Sequence, residues 1–267
     1  MTAPSLVLLG HGSADARVAQ ISHEIRTGVL EIRPELDVHV AFLDHSSPSG
    51  LQVVNKLVKR GVTEIVFVPL LLSEAFQAHD EVPAVIAQIQ AAHPQLQVIA
   101  SRPIGPEAQL LCVIDRRLRD VLRARRVSEL DGLVFAAAGS SDVRSNAIVA
   151  RRSRQWANHH KLPCVTAFGT SSGPSAGEAV RTLRGQGRRH IAVGAWFLAP
   201  GARYSASAEL ALEAGAVAVS APMGAEPEIA EVALTRYVVA AMELVDLEPS
   251  ITADEPAPVR HLSVVGA

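Results

Sequence analysis

The chain has 267 residues, 48% of them hydrophobic and 19% charged, with a formal net charge of -2. This is enough apolar surface for one large core or two modest ones, so a folded, soluble protein is expected. The charge argues against a nucleic-acid partner held by bulk electrostatics, and no apolar run reaches the roughly 20 residues of a membrane helix.

The chain opens with "MTAPSLVLLGHGS", which has no basic leader region, and its apolar stretch is too short for a signal peptide. A cytoplasmic location is the expectation. "SLVLL" predicts a first strand, and "GHGS" at residues 10 to 13 ends it. In open α/β sheets ligands collect at the carboxyl ends of strands, which puts His11 at the functional edge. A dinucleotide-binding GxGxxG would need glycine at position 15, where Asp15 stands, so that fingerprint fails. The glycines are expected to permit a tight turn, with Ser13 capping the following helix. A hydrogen-bonded turn histidine remains the alternative for His11.

"VHVAF", "EIVFV" and "LQVIA" predict three further strands. Between them lie amphipathic helices. Val18, Ile21, Ile25 and Val29 share one face; Leu51, Val54, Leu57 and Val58 a second; Val82, Val85, Ile86 and Ile89 a third; Leu111, Ile114, Leu118 and Val121 a fourth. Strand then helix, repeated, implies a parallel sheet covered on both faces. Pro83 disfavours helix at Val82, so an extended lead-in to the third helix is expected. Cys112 and Cys164 lack CxxC spacing and are expected to be buried core thiols.

"LRARRVSELDG", residues 122 to 132, predicts a connection, after which the pattern repeats at an offset of about 126. "VLLGHGSADAR" falls on "VFAAAGSSDVR", "AFLDHSSPS" on "AFGTSSGPS", and "EIVFVPLLLS" on "HIAVGAWFLA". The fold class is therefore α/β, two tandem doubly wound parallel-sheet lobes flanking a cleft. The first lobe is assigned to residues 1–121, the second to 122–245, and a mobile tail rich in Pro and acid to 246–267. Ala138 stands at the repeat position of His11, while Gly139 and Ser140 keep the turn. The turn is architectural and the imidazole an addition, which places the chemistry on the first lobe.

These blocks, "GHGS", "VPLLLS" with "AFxAxxxVP", "RPIGPE", "AAAGSSD" and "FLAPG", resemble the class II tetrapyrrole chelatases, specifically the two-lobed sirohydrochlorin cobaltochelatase and ferrochelatase family. The resemblance spans roughly residues 5 to 240. It implies a lyase that inserts a divalent ion, Co2+ or Fe2+, into sirohydrochlorin during cobalamin or sirohaem synthesis. Neither ATP nor an organic cofactor takes part. The substrate would be sirohydrochlorin or a related polycarboxylate tetrapyrrole, with no nucleic acid or membrane partner and a monomer or homodimer as the working unit.

His11 matches the strand-end histidine of that family, and neutral imidazole can both ligate such an ion and accept a pyrrole proton. The family's second histidine and following carboxylate fall at Gln77 and Glu81, counted from Ser73. Gln77 offers a carbonyl oxygen but accepts no proton at working pH. His79 reaches the site if the segment is extended and turns away if it is helical. The expected set is therefore His11 and Glu81 as catalytic groups, with His11, His79 and Gln77 on the metal. Ser13, Arg17, Ser73 and Arg203 are expected on the substrate, because arginines suit its carboxylate arms.

Arg102 and Arg144 are further arginine candidates, and His45 could approach the cleft from the second strand. His159 and His160 are read as a helix end, and Trp196 and Phe197 as core. A non-enzymatic metal or tetrapyrrole binder that lost turnover with the second histidine is the rival reading.

Overall fold

The computed structural model describes residues 3–73, 80–170 and 173–246. β1 (Ser5–Gly10), β2 (Val38–Phe42), β3 (Glu64–Pro69) and β4 (Gln97–Ala100) form one sheet in the order β2-β1-β3-β4. β5 (Gly132–Ala137), β6 (Cys164–Phe168), β7 (Ile191–Trp196) and β8 (Ala218–Val219) form a second, ordered β6-β5-β7-β8. Every pairing is parallel. Register repeats with topology: Leu6 lies between Val38 and Val66, and Leu133 between Cys164 and Ala192. The two halves are thus one α/β unit used twice.

The helices are α1 (Ala16–Ile32), α2 (Gly50–Lys59), α3 (Val82–Ala92), α4 (Leu111–Ala124), α5 (Val143–His160), α6 (Ala176–Gly185), α7 (Ala202–Glu213) and α8 (Pro227–Asp246). Their starts repeat too. Asp15 caps α1 by accepting from the Arg17 amide, and Asp142 caps α5 by accepting from the amides of Arg144 and Ser145. Capping boxes open α2, with Ser49 and Gln52, and α6, with Ser175 and Glu178. Each such cap satisfies amide groups that the first turn leaves unpaired. The helix cap is therefore Asp15 and not Ser13, whose hydroxyl accepts from the Asp15 amide one step earlier.

The sheets bury alternate residues on opposite sides, as the period of two requires. Val7, Leu9, Ile65 and Phe67 pack outward against Val54, Leu57 and Ile89 of α2 and α3. Val134, Ala136, Ile191 and Val193 pack outward against Val180, Leu183 and Ala211 of α6 and α7. The inward residues, Leu6, Leu8, Val66 and Val68 with Leu133, Phe135, Ala192 and Trp196, share a single core. Each large side chain buried there contributes about 1.5–3 kcal/mol.

That shared core holds an exchange. α4, from the first half, packs on β7 and β8, whereas α8, from the second, packs on α1, β3 and β4. Gly194 lets the exchanged helix close on its strand: a Cβ there would meet Trp156 of α5 at 2.5 Å and Ile114 of α4 at 2.7 Å. At the other end Tyr237 of α8 donates to the Pro4 carbonyl, 2.7 Å away. The boundary at residues 121 and 122 marks the sequence repeat, while the packing ties each half to the other.

Two sequence expectations are corrected. Cys112 is exposed on α4, and only Cys164 is largely withdrawn from solvent, where burial pushes its thiol up to about 11. Helix also begins before Pro83, since Asp80 and Glu81 form a π-helical turn and Glu81 has φ -73° and ψ -42°. Proline fits without strain at the first helical positions because its missing N–H lies where no partner exists. No helix among the described residues is long and apolar enough to cross a membrane. The proposed tail, residues 246–267, lies outside them apart from Asp246.

Candidate functional site

A cavity of about 540 Å³ opens between the lobes where the carboxyl ends of β1, β3, β5 and β7 converge. Its walls are mainly apolar: Val18, Ile21, Leu70, Leu72, Val149, Trp196, Phe197 and Leu198. Polar groups enter at His11, Ser13, His45, Ser73 and Arg203. Volume and lining both suit a largely apolar ligand held by a few oriented polar groups.

The His11 turn is stitched to the turn after β2. The amides of Leu43 and Asp44 donate to the carbonyls of Gly10 and His11, each at 2.9 Å. The Ser13 amide donates to the Ser46 hydroxyl, which returns a bond to the Ser13 carbonyl, both at 3.1 Å. Gly12 makes the approach possible. It has φ 89°, and a Cβ there would stand 1.7 Å from the Asp44 carbonyl oxygen. An L-residue would have to break the contact.

His11 is half-buried, with Nδ1 3.1 Å from the Gly12 carbonyl. A carbonyl only accepts, so that bond requires a proton on Nδ1, and in the neutral ring Nε2 is then the nitrogen that offers a lone pair. The stitched turns also carry His45 to the same wall, its ring centroid 6.4 Å from that of His11 and tilted by 40°. Imidazole nitrogen ligates at about 2.0–2.1 Å, so two rings sharing one ion at a tetrahedral angle have centroids roughly 5 Å apart, and this pair would close by about 1 Å to share one. His45 is a non-glycine residue at φ 56°, and its Nε2 lies 3.2 Å from Asp44 Oδ2. A left-handed conformation in such a residue is sparsely populated and persists only where its surroundings hold it.

The structure thus brings His11, Ser13, Ser73 and Arg203 together and adds His45. It does not bring Arg17 or Glu81 to this wall. Arg17 folds back onto its own helix cap, with Nη2 2.6 Å from Asp15 Oδ2, and the pair lowers the carboxyl below its ordinary range. Glu81 precedes α3 as its N-cap residue, immediately after the stretch that contains Gln77 and His79; those two lie outside the described residues. Arg102 and Arg144 are exposed and off the cavity wall.

The aromatic pair serves two purposes. Trp196 and Phe197 are 2% and 7% exposed, as core residues should be, yet their faces line the cavity. Trp196 Nε1 crosses the lobe boundary to donate to the Leu72 carbonyl at 3.2 Å. Tyr204 closes the second-lobe side, edge-on to Phe197, with its hydroxyl donating to the Ser220 carbonyl at 3.0 Å. Burial raises its phenol pKa, so it stays a donor.

Sequence reasoning weighed His45 lightly, and the signal that finds it is the pairing of turns. "GHGS" and "FLDHSS" each follow a strand, and the two strands are neighbours.

Comparison with known proteins agrees with this architecture. The sequence model of the CbiX family matches residues 5–121 and 132–240. A sirohydrochlorin cobaltochelatase of Priestia megaterium is 22% identical over 205 residues, which is 74% of this chain and 65% of that protein. A sirohydrochlorin ferrochelatase of Bacillus subtilis is 26% identical over 120 residues, 44% of this chain and 45% of the relative. The match thus spans less than two thirds of either relative's length. Among solved structures, SirB from Bacillus subtilis with Fe3+ superposes with a TM-score of 0.74 at 21% identity, covering 92% of this chain and 98% of that one. At that identity the likeness speaks for the two-lobed fold.

Proposed function

The chain belongs to the CbiX family, a class II chelatase type, and from that premise we propose that it inserts a divalent ion into sirohydrochlorin or a related polycarboxylate tetrapyrrole. Cobalt and iron are the ions that the names of its relatives suggest. The observation that carries this reading is the pair of imidazoles, His11 and His45, on the wall of an apolar cavity between strand ends.

Insertion exchanges two pyrrole N–H protons for one M2+, so the site must strip the ion of water, accept protons and hold a flat ring. His11 Nε2 first ligates the ion; once the ion has passed to the macrocycle, the freed lone pair takes one pyrrole proton, and the other leaves to His45 or to water. His45 supplies the second nitrogen, a role open because Gln77 stands where the family's second histidine falls. Glu81, with Gln77 or His79, delivers or orients the ion from the α3 side. The ring lies against Trp196, Phe197 and the leucines of the β3 end, while Arg203, Ser13 and Ser73 receive its carboxylate arms. No ATP enters this reading, because the driving force is the stability of the metallated macrocycle.

The test is anaerobic mixing of the purified chain with sirohydrochlorin and Co2+ or Fe2+, followed by visible absorption. A metallation rate above the spontaneous one supports the proposal. A bound but unmetallated spectrum supports the rival reading, favoured by Gln77, of a binder that has lost turnover. No binding at all overturns both.

A further inference from the structure

Outside the cleft, Asp115 of α4 meets His159 and His160 at the carboxyl end of α5. One ligand atom from each, a carboxylate oxygen and two imidazole nitrogens, lies within 4.8 Å of the others. We propose that these three residues form a second divalent-cation site, for a late first-row ion such as Co2+, Ni2+ or Zn2+, that ties the exchanged helix α4 to α5.

The chemistry of the set is specific. Two neutral imidazoles and one carboxylate suit borderline ions and disfavour Mg2+ and Ca2+, which require mostly oxygen ligands. The carboxylate is already oriented. Asp115 has only 8% of its side chain exposed, and its Oδ1 accepts from Trp156 Nε1 at 2.6 Å and contacts His160 Nε2 at 2.7 Å. The Trp156 bond is an outer hydrogen bond that fixes the carboxylate before the ion arrives, and the His160 contact joins two ligands that the ion would come between. His159 Nε2 lies 3.9 Å from Asp115 Oδ2 and is 71% exposed, so it can swing inward and leaves a path for ion and water. The last turn of α5 adds carbonyls whose dipoles favour a cation.

Arg119 competes for the same carboxylate, with Nη2 3.8 Å from Asp115 Oδ2. Its side chain is 62% exposed, and an arginine in that setting holds a carboxylate weakly enough to be displaced by a divalent ion. None of these residues lines the cleft cavity, so the site is independent of the insertion reading.

The experiment uses the full chain carrying His11→Ala, which breaks the His11–His45 pair of the cleft and leaves His45 as a lone, weak ligand there, and titrates Co2+ while following its visible ligand-field bands, tryptophan fluorescence and the Tm. We expect about one remaining equivalent of bound Co2+, quenching of Trp156 and a raised Tm. In the same background, His159→Ala, at an exposed position, weakens that binding by about 10- to 100-fold and removes the Tm rise. Asp115→Asn keeps an acceptor for Trp156 while deleting the charge, and it weakens binding at least as much. Unchanged Co2+ affinity in both variants, or no binding in the His11→Ala chain, overturns the proposal. In the otherwise unmodified chain, His159→Ala leaves metallation of sirohydrochlorin unchanged, so failure here and failure of the insertion reading are separable.

Discussion

The two lobes end their first strands in the same turn and use it differently. In the first, Gly12 is pressed against the Asp44 backbone, and the turn presents His11 with His45 beside it. In the second, Gly139 keeps φ 74°, but its missing Cβ faces the Thr170 side chain at 2.5 Å and Phe168 Cβ at 2.9 Å. There the turn closes on itself: Asn146 receives the Ser140 amide at 3.0 Å and donates to the Ser140 carbonyl at 2.7 Å. The geometry occurs twice, and among the described residues only the first-lobe copy carries imidazoles on it.

The largest effect is expected from breaking the geometry itself. Gly12→Ala puts a methyl group inside the van der Waals radius of a backbone oxygen and imposes a left-handed φ, at a cost of ~3 kcal/mol or more. It should also abolish metallation, because the Asp44 turn must move. Gly139→Ala meets mostly side-chain atoms and should cost about 1–2 kcal/mol with metallation retained. Denaturant unfolding and the visible assay on both variants check the ordering; equal losses would mean that the two turns are mechanically alike.

Next comes the chemistry alone. His11→Ala is expected to reduce metallation to the spontaneous rate while lowering stability by no more than about 1 kcal/mol, since only a bond to the adjacent carbonyl is lost. A smaller loss is expected for His45→Gly, on the order of 10- to 100-fold in the rate at limiting Co2+. Its stability should move the other way, up by about 1 kcal/mol, because glycine relieves the φ of 56°. A variant that is more stable and less active would identify His45 as held for function. Unchanged metallation would return the second ligand to the residue 77–79 segment.

Much of this was legible in the sequence because the signals are local. Short β-branched or leucine-rich runs marked the strands, the offset of about 126 marked the duplication, and the Ala138 counterpart singled out His11. The caps on α2 and α6 could likewise be read from Ser49 with Gln52 and Ser175 with Glu178. What escaped depends on distance through space. An amphipathic face on α4 says that it is covered but not by which sheet, so the exchange of α4 and α8 left no mark on the periodicity. His45 reaches His11 only through backbone bonds spanning more than thirty residues and a backbone angle that no propensity favours. Asp115 likewise meets His159 and His160 only because α4 crosses to the second lobe.

The smallest effect is expected where a naive reading of the repeat would look for the greatest gain. Ala138→His rebuilds "GHGS"-like chemistry in the second lobe, at a position that lines the same cavity. Yet the new imidazole would find Thr170 where the first lobe has Asp44, a 126-residue offset apart, and no second ring fixed beside it among the described residues. A lone imidazole binds a divalent ion weakly, and ligands gain affinity when their geometry is set in advance. Paired with His11→Ala, it should leave metallation at the spontaneous rate. Recovery in that double variant would mean that the cavity accepts its ion from either side, and that the asymmetry between the lobes reflects history instead of mechanism.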